Sequence, residues 1–418
     1  MKKYNLLLLV CLFSFTSSFA GGFKLGLQGQ KQLGMGHTGV GFAQDAAIIY
    51  FNPAGMSFVG SQFCGGVNAL FPNTSYFDIS TNNVTKATSQ VFTPFALYGN
   101  IKINKTFNFG MAAYTPFGSG VLYPKEWIGR YILTSIDLQS VYLQPTLSIK
   151  LTNNFSIGGG FVYSIGNVNI EKDLPIQSAT QDFQAHAKLN GKANGIGYNV
   201  GAYLNTKKAA FGIAYHSRVN MEVKDGKANF TNIPASLSAN FPSTNTFKSK
   251  LPLPSEIAIG ASYNLSKRTT AAFDFNYTFW KAFDTLGYDY GVNTTSLSDT
   301  KSPRLYENAY SLKAGIQYDA TKNTTIRVGG FYDQTPVKDG YVSPELPDNN
   351  KMGLTCGATF RIWERCHIDC SLLYENVFKR TQKNLETQLE GTFHTKVIAP
   401  GVGITYLFQK RTYKRKRY

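Results

Sequence analysis

Residues 257–265 read Ile-Ala-Ile-Gly-Ala-Ser-Tyr-Asn-Leu. Ile257, Ile259, Ala261, Tyr263 and Leu265 fall on one face of an extended chain, and Ala258, Gly260, Ser262 and Asn264 on the other. Successive side chains of a strand point to opposite sides, so this is a strand pattern with one apolar and one small or polar face. In 310–319, Tyr310, Leu312, Ala314, Ile316 and Tyr318 oppose Ser311, Lys313, Gly315, Gln317 and Asp319. The runs 273–279, 352–362 and Ile398 to Phe408 alternate in the same way. The chain is therefore all-β.

The connections between these runs select the architecture. Very short polar turns fall at Asn104-Lys105, Thr152-Asn153, Thr206-Lys207, Ser266-Lys267, Ala320–Lys322 and Glu364-Arg365. Long loops fall at about 72–90, 117–135, 171–192, 225–250, 282–305, 335–349 and 379–391. Short and long alternate, so six turns and seven loops join 14 strands. A large secreted β-sandwich or a two-domain β-protein is the competing architecture, but neither has a reason to keep every long loop at one end. A transmembrane barrel does, with short periplasmic turns and long extracellular loops. The reading is a 14-stranded antiparallel transmembrane β-barrel, both termini periplasmic, in the outer membrane of a Gram-negative bacterium. Its Ile/Tyr/Phe/Leu face meets lipid. Its Gly/Ser/Asn/Thr face, with Asp274, Lys313, Asp319, Arg327 and Asp333, meets the lumen.

Composition agrees. Among 418 residues only 16% are charged, 14% are aromatic and 39 are Gly; a typical globular domain has about 25% charged residues. No long apolar run other than Leu6–Phe15 exists, which excludes a helical membrane protein. The aromatic content excludes a disordered chain. Bulk hydropathy is that of a soluble protein because the average over both strand faces conceals the apolar stripe.

Residues 1–20 read as a secretory signal peptide: Lys2 and Lys3, the apolar centre Leu6–Phe15, then Ser18-Phe-Ala20 as the cleavage site. Much of the formal +17 charge sits in a tail, residues 409–418, where six of the eight residues Lys410–Arg417 are basic. This is a solvated tail or a contact for anionic head groups, and nucleic acid is not an expected partner. Cys64, Cys356, Cys366 and Cys370 fit no zinc spacing, and no metal or cofactor is expected. Cys356 and Cys370 fall nearly opposite each other on adjacent strands, which permits a disulfide; small apolar strand positions are the favoured reading. The five His (37, 186, 216, 367, 394) sit in no nucleophile motif, and Gly34–Gly41 lacks the Lys-Ser/Thr of a phosphate loop, so catalysis is not expected.

Residues 21–60 do not alternate, yet carry Ile48-Ile-Tyr-Phe51. Forty residues at the periplasmic end of a barrel wide enough to hold water are expected to fold into the lumen as a plug, leaving 61–408 as the barrel.

Six stretches, in order, carry a family resemblance. They are Gly22–Leu25 with Gly34-Met-Gly36, Asp45-Ala-Ala47 and Phe51-Asn-Pro-Ala-Gly55; Trp127–Tyr131 with Asp137-Leu-Gln139; Leu251-Pro-Leu-Pro254; Phe273–Trp280 with Phe283-Asp284; Arg327–Val337; and Leu346–Asn349. The chain resembles the FadL/TodX family of outer-membrane transporters for hydrophobic compounds. The resemblance implies an N-terminal hatch over 21–60, a lumen pocket reached by Phe23 and Leu25, and an Asn52-Pro53-Ala54-Gly55 run holding the hatch against a kinked third strand. It further implies lateral release of fatty acids or aromatic hydrocarbons into the membrane. Gly110, Pro116 and Gly118 are the candidates for the opening, since Pro cannot donate to a ladder. Arg130, Lys313 and Arg327 are candidate cations for a carboxylate head group. Further expected partners are outer-membrane lipid, lipopolysaccharide and the barrel-assembly machinery, which reads a terminal aromatic such as Phe408; a monomer is expected. A general porin and a structural or host-binding barrel are the alternatives.

Overall fold

The computed structural model describes residues 21–176 and 184–408. The expected signal peptide and basic tail lie outside these residues.

Fourteen antiparallel strands close into a barrel. They are β1 (Gln62–Asn68 and Phe71–Asp78), β2 (Val84–Lys86 and Phe95–Lys102), β3 (Phe107–Tyr114 and Gly118–Leu122), β4 (Ser135–Lys150), β5 (Phe155–Asp173), β6 (His186–Asn205), β7 (Ala209–His216 and Val219–Thr231), β8 (Thr244–Leu253 and Glu256–Asn264), β9 (Thr269–Thr278 and Thr285–Tyr290), β10 (Thr300–Pro303 and Ala309–Asp319), β11 (Thr324–Asp333), β12 (Lys351–Arg361), β13 (Cys366–Lys383) and β14 (Glu390–Leu407). The ring closes where β1 meets β14, with Gln62 opposite Leu407 and Phe71 opposite Ile398. Closure pairs backbone groups that a bilayer cannot hydrate. Among the described residues no helix is long and apolar enough to cross a membrane.

The barrel is inside-out relative to a soluble protein. Leu354 on the outer face is 65% exposed, whereas Lys313 on the inner face is 6% exposed. Ile259, Phe273, Ile316, Tyr318, Val402 and Ile404 also face outward. The short turns are set by side chains that mimic backbone turns: Asn104 Oδ1 accepts from the Thr106 and Phe107 amides, and Ser266 Oγ from those of Arg268 and Thr269.

Several expected loops are in part strand. β5 has 19 residues and β6 has 20, beyond the about 9–11 that cross the hydrocarbon. The spans 225–250 and 282–305 hold parts of β7, β8, β9 and β10. Outside the bilayer both faces of a ladder can be polar, so pairing continues where the hydropathy signal stops. Cys356 lies opposite Leu372 and Cys370 opposite Ala358, a two-residue offset, and the four cysteines among the described residues are free thiols.

Residues 21–60 run through the lumen. They form two short helices, α1 (Gln30–Leu33) and α2 (Ile48–Phe51), and a 3-10 turn at Pro53–Phe58. α1 packs on β12, β13 and β14, while the 3-10 turn packs on β3 to β6. A segment that touches opposite walls lies inside the ring. Ile48, Ile49 and Met56 are fully buried in one cluster with Tyr98, Tyr114 and Tyr142. Each buried aliphatic side chain contributes roughly 1.5–3 kcal/mol.

Glycines let the segment's backbone touch the wall's backbone. Gly36 has φ +70°, and a Cβ there would stand 2.4 Å from the Ala314 carbonyl oxygen. A Cβ on Gly158 of β5 would stand 2.6 Å from the Pro53 carbonyl carbon.

Candidate functional site

β3 is broken over residues 115–117. Below the break it pairs with β2, from Lys102–Asn108 to Ala96–Tyr114. Above it, Gly118–Leu122 pairs with β4 alone, from Gly118–Gln139 to Leu122–Ser135. The facing part of β2 turns away, with Phe92 bridging to Leu70 of the β1 break. A gap therefore opens in the wall between β2 and β3. The Thr88 amide, donating to the Leu122 carbonyl at 2.7 Å, spans its outer end.

The N-terminal segment fills this gap from inside. The Leu25 amide donates to the Pro116 carbonyl at 2.8 Å, and the Gly118 amide to the Phe23 carbonyl at 3.0 Å. Lys24 and Phe117 form the resulting antiparallel bridge. Backbone groups of one strand alternate in direction, so Pro116 and Gly118 direct these bonds away from β4, towards the side β2 has vacated. Pro116 has no N–H to leave unpaired there. Gly120 lies under the Phe92 ring: a Cβ on it would stand 2.2 Å from Cζ.

The start of the segment is anchored by Asp348 of the loop after β11. Its carboxylate accepts from the Gly22 amide at 3.0 Å and from the Thr335 hydroxyl at 2.5 Å. Burial raises the Asp348 pKa. Lys24 pairs with Glu256, which Asn276 and Thr278 also hydrogen-bond.

Two cavities flank residues 22–25. One holds about 920 Å³ of non-protein space, part of it open to solvent, and is lined by Phe23, Phe117, Leu138, Val168, Phe247 and Phe283, among other mostly apolar side chains. The Phe23 and Phe283 rings meet edge-on at 5.9 Å. The other holds about 830 Å³ beside the gap, part of it open to solvent, with Leu25, Leu70 and Gly118–Val121 in its wall and Lys24, Asp348, Lys351 and Glu375 adding charge. Phe23 faces the first and Leu25 the second, so this short stretch is their partition. A third space of about 1580 Å³ under the segment, at the end of the short turns, is lined by Lys31, Lys207, Lys208, Arg268, Arg327 and Arg361.

The Asn52 run lies elsewhere. Asn52 is fully buried and donates to the Ala202 carbonyl at 3.0 Å and more weakly to Ile213 at 3.4 Å, while its Oδ1 caps the Ala54 amide at 3.1 Å. The Ala54 carbonyl accepts from Ser148 at 3.0 Å and Ser156 at 2.7 Å. Pro53 abuts Gly158, and Gly55 turns tightly over Ile48. These contacts are to β4–β7, so the run grips the wall beyond the kinked strand rather than the kink itself. Gly110, on the intact lower half of β3, faces Met56 and Ile49.

Charged side chains hold the rest. Lys31 Nζ lies 3.0 Å from Asp45 and 3.5 Å from Asp369 of β13. Burial works against the Lys31 charge, but Asp369 and Asp45 outweigh it and raise its pKa. Asp274 of β9 accepts from the Gly39 and Val40 amides at 2.6 and 2.9 Å. The lumen charges thus bind the segment. His37 Nδ1 lies 3.3 Å from Lys313 Nζ, and burial first, then Lys313, pushes the imidazole pKa well below its ordinary value.

None of Arg130, Lys313 and Arg327 lines the apolar cavity. Arg130 lies over the Tyr131 ring and 3.9 Å from Asp173. Lys313 adjoins His37, and Arg327 donates to Thr359 at 2.7 Å. The cavity's cation is Arg304, paired with Glu345 at 2.5 Å. Burial opposes its charge, but Glu345, Tyr306, Tyr288 and Glu386 together outweigh it and raise its pKa. Arg304 follows Pro303 in a stretch without strand alternation, so no pattern in the sequence marked it.

Known proteins share this architecture. A Pseudomonas aeruginosa FadL homologue superposes with a TM-score of 0.80 at 20% identity, covering 93% of this chain and 100% of that one. The Pseudomonas putida toluene transporter TodX superposes at 0.73 and 16% identity, covering 94% and 100%. A long-chain fatty acid transport protein of Escherichia coli O6:H1 is 25% identical over 408 residues, 89% of this chain and 90% of that protein. The model of the family described as outer membrane protein transport protein (OMPP1/FadL/TodX) matches residues 11–408. This chain belongs to the OMPP1/FadL/TodX family of outer-membrane transport proteins.

Proposed function

We propose that the barrel takes hydrophobic compounds, of the kind its relatives are named for, from outside into the cavity behind Phe23. Withdrawal of residues 22–25 then joins that cavity to the gap between β2 and β3, and the ligand leaves sideways into the membrane. The observation that carries this reading is the pairing of Phe23 and Leu25 with Gly118 and Pro116, which makes one segment both the cavity floor and the seal of the gap. The chemistry supports a lateral path. Moving an alkyl chain from an apolar cavity into water costs about 0.8 kcal/mol per CH₂, whereas a path from cavity to bilayer avoids that cost. A lumen filled by residues 21–60 does not suit a general porin. This chain has a transport role without catalysis in this reading.

Gly120→Trp tests it, because the indole would occupy the space beside Phe92 in the gap. Uptake of a labelled hydrophobic compound by cells should fall at least about tenfold at equal surface expression, as steric blockage of the proposed route requires. Undiminished uptake would remove the gap from the route.

A further inference from the structure

The apolar cavity has one charged corner. Arg304 Nη2 stands 2.5 Å from Glu345 Oε1, and Nη1 stands 3.7 Å from Glu386 Oε2. The Arg304 and Glu345 side chains are 12% and 18% exposed, so solvent screens the pair weakly. One guanidinium thus faces two carboxylates. The remaining polar side chains at the cavity, among them Ser140, Asn167, Ser249, Tyr288 and Tyr306, are uncharged.

A fatty-acid carboxylate entering this cavity would meet a cation already occupied. To reach Arg304 it must displace Glu345, which would leave that carboxylate half-buried and unpaired, and it would bring a third negative charge to one guanidinium. Breaking a desolvated pair by removing one partner is strongly unfavourable. An uncharged ligand faces neither cost. A hydroxyl head group can still bond to the cavity's serines and amides.

We propose that the cavity selects uncharged hydrophobic molecules over carboxylates of the same chain length, and that Glu345, by holding Arg304, is the specificity-determining residue. The proposal rests on the cavity being the ligand site. Glu345 also borders the cavity beside the gap, and its backbone carbonyl accepts from Ser119 Oγ at 3.0 Å. The same discrimination would therefore act on a ligand crossing from one space to the other.

Oleyl alcohol and oleate differ only at the head group. Their binding to the detergent-solubilised protein is measured at pH 8.5, where oleate is ionised. The wild-type chain should bind the alcohol at least about tenfold more tightly than oleate, the loss expected for a charge without a free partner. Glu345→Gln leaves the guanidinium only the more distant and more exposed Glu386, and the ratio should narrow to within about threefold, because a charge-assisted bond to Arg304 Nη2 becomes available. Arg304→Leu/Glu345→Leu removes both charges and should widen the ratio again. Equal affinities in the wild-type chain, a preference for oleate, or a ratio that Glu345→Gln does not move would each overturn the proposal. Met221→Trp fills the cavity and distinguishes the two levels of failure. If both lipids bind that variant as tightly as they bind the wild-type chain, the cavity is not the ligand site and this inference falls with it.

Discussion

The Leu25 amide donates to the Pro116 carbonyl at 2.8 Å across a wall position where β2 is absent. A residue of the N-terminal segment thus supplies the hydrogen bond that a neighbouring strand would give. Leu25→Pro removes that donor. A single bond of about 1 kcal/mol corresponds to roughly fivefold in an opening equilibrium. Hydrogen exchange at the adjacent Gly118 amide should speed up by about that factor, with amides of β12–β14 unchanged.

The Lys31, Asp45 and Asp369 cluster is expected to act as the segment's main electrostatic anchor. Lys31→Met leaves two buried carboxylates without their cation and should cost about 3–5 kcal/mol. In planar bilayers this variant should show leak conductance that the wild-type chain lacks. Lys31→Met/Asp45→Asn/Asp369→Asn removes the unpaired charge and should leak less than the single variant.

Asn52→Ala should loosen the segment on its other side. It deletes a buried donor to the Ala202 carbonyl and the cap of the 3-10 turn. The cost is about 1–3 kcal/mol, because a buried acceptor loses its partner. Uptake should fall at constant surface expression; unchanged uptake would deny the run a role.

His37 makes the packing of the segment sensitive to acid. Burial holds its folded-state pKa well below the ordinary value, which is about 6.5 in the unfolded chain. Below that pH the unfolded state binds a proton that the folded state does not, so stability is fully present above about pH 6.5 and declines as pH falls. Thermal unfolding from pH 7.5 to 5 should show this slope, and His37→Gln should reduce it.

Much of the barrel could be read from the chain because its strands obey one rule: Ile257, Ile259 and Tyr263 outward, Gly260 and Ser262 inward. The polar turns at Asn104 and Ser266 were legible because a side-chain oxygen that caps two amides is a local device. The insertion of residues 21–60 into the lumen followed from a non-alternating apolar run with nowhere else to fold. The strand ends were not legible, because β5 and β6 continue into water where hydropathy no longer reports pairing. Nor was the Arg304–Glu345 corner, since two loops 41 positions apart bring it together and neither has a periodic pattern. The Asn52 run carried its turn chemistry openly, but which wall it grips depends on the close approach of Gly158, visible only in three dimensions.

The central claim, that residues 22–25 gate the path from the cavity to the gap, is tested most directly by fixing them in place. Lys24 and Phe117 form a non-hydrogen-bonded antiparallel pair, the kind that brings Cβ atoms closest. In a chain with Cys64, Cys356, Cys366 and Cys370 replaced by Ala, Lys24→Cys/Phe117→Cys is oxidised to the disulfide and uptake of a labelled hydrophobic compound is measured before and after reduction. The account predicts no uptake in the oxidised protein and recovery on reduction. Full uptake through the cross-linked protein would contradict it.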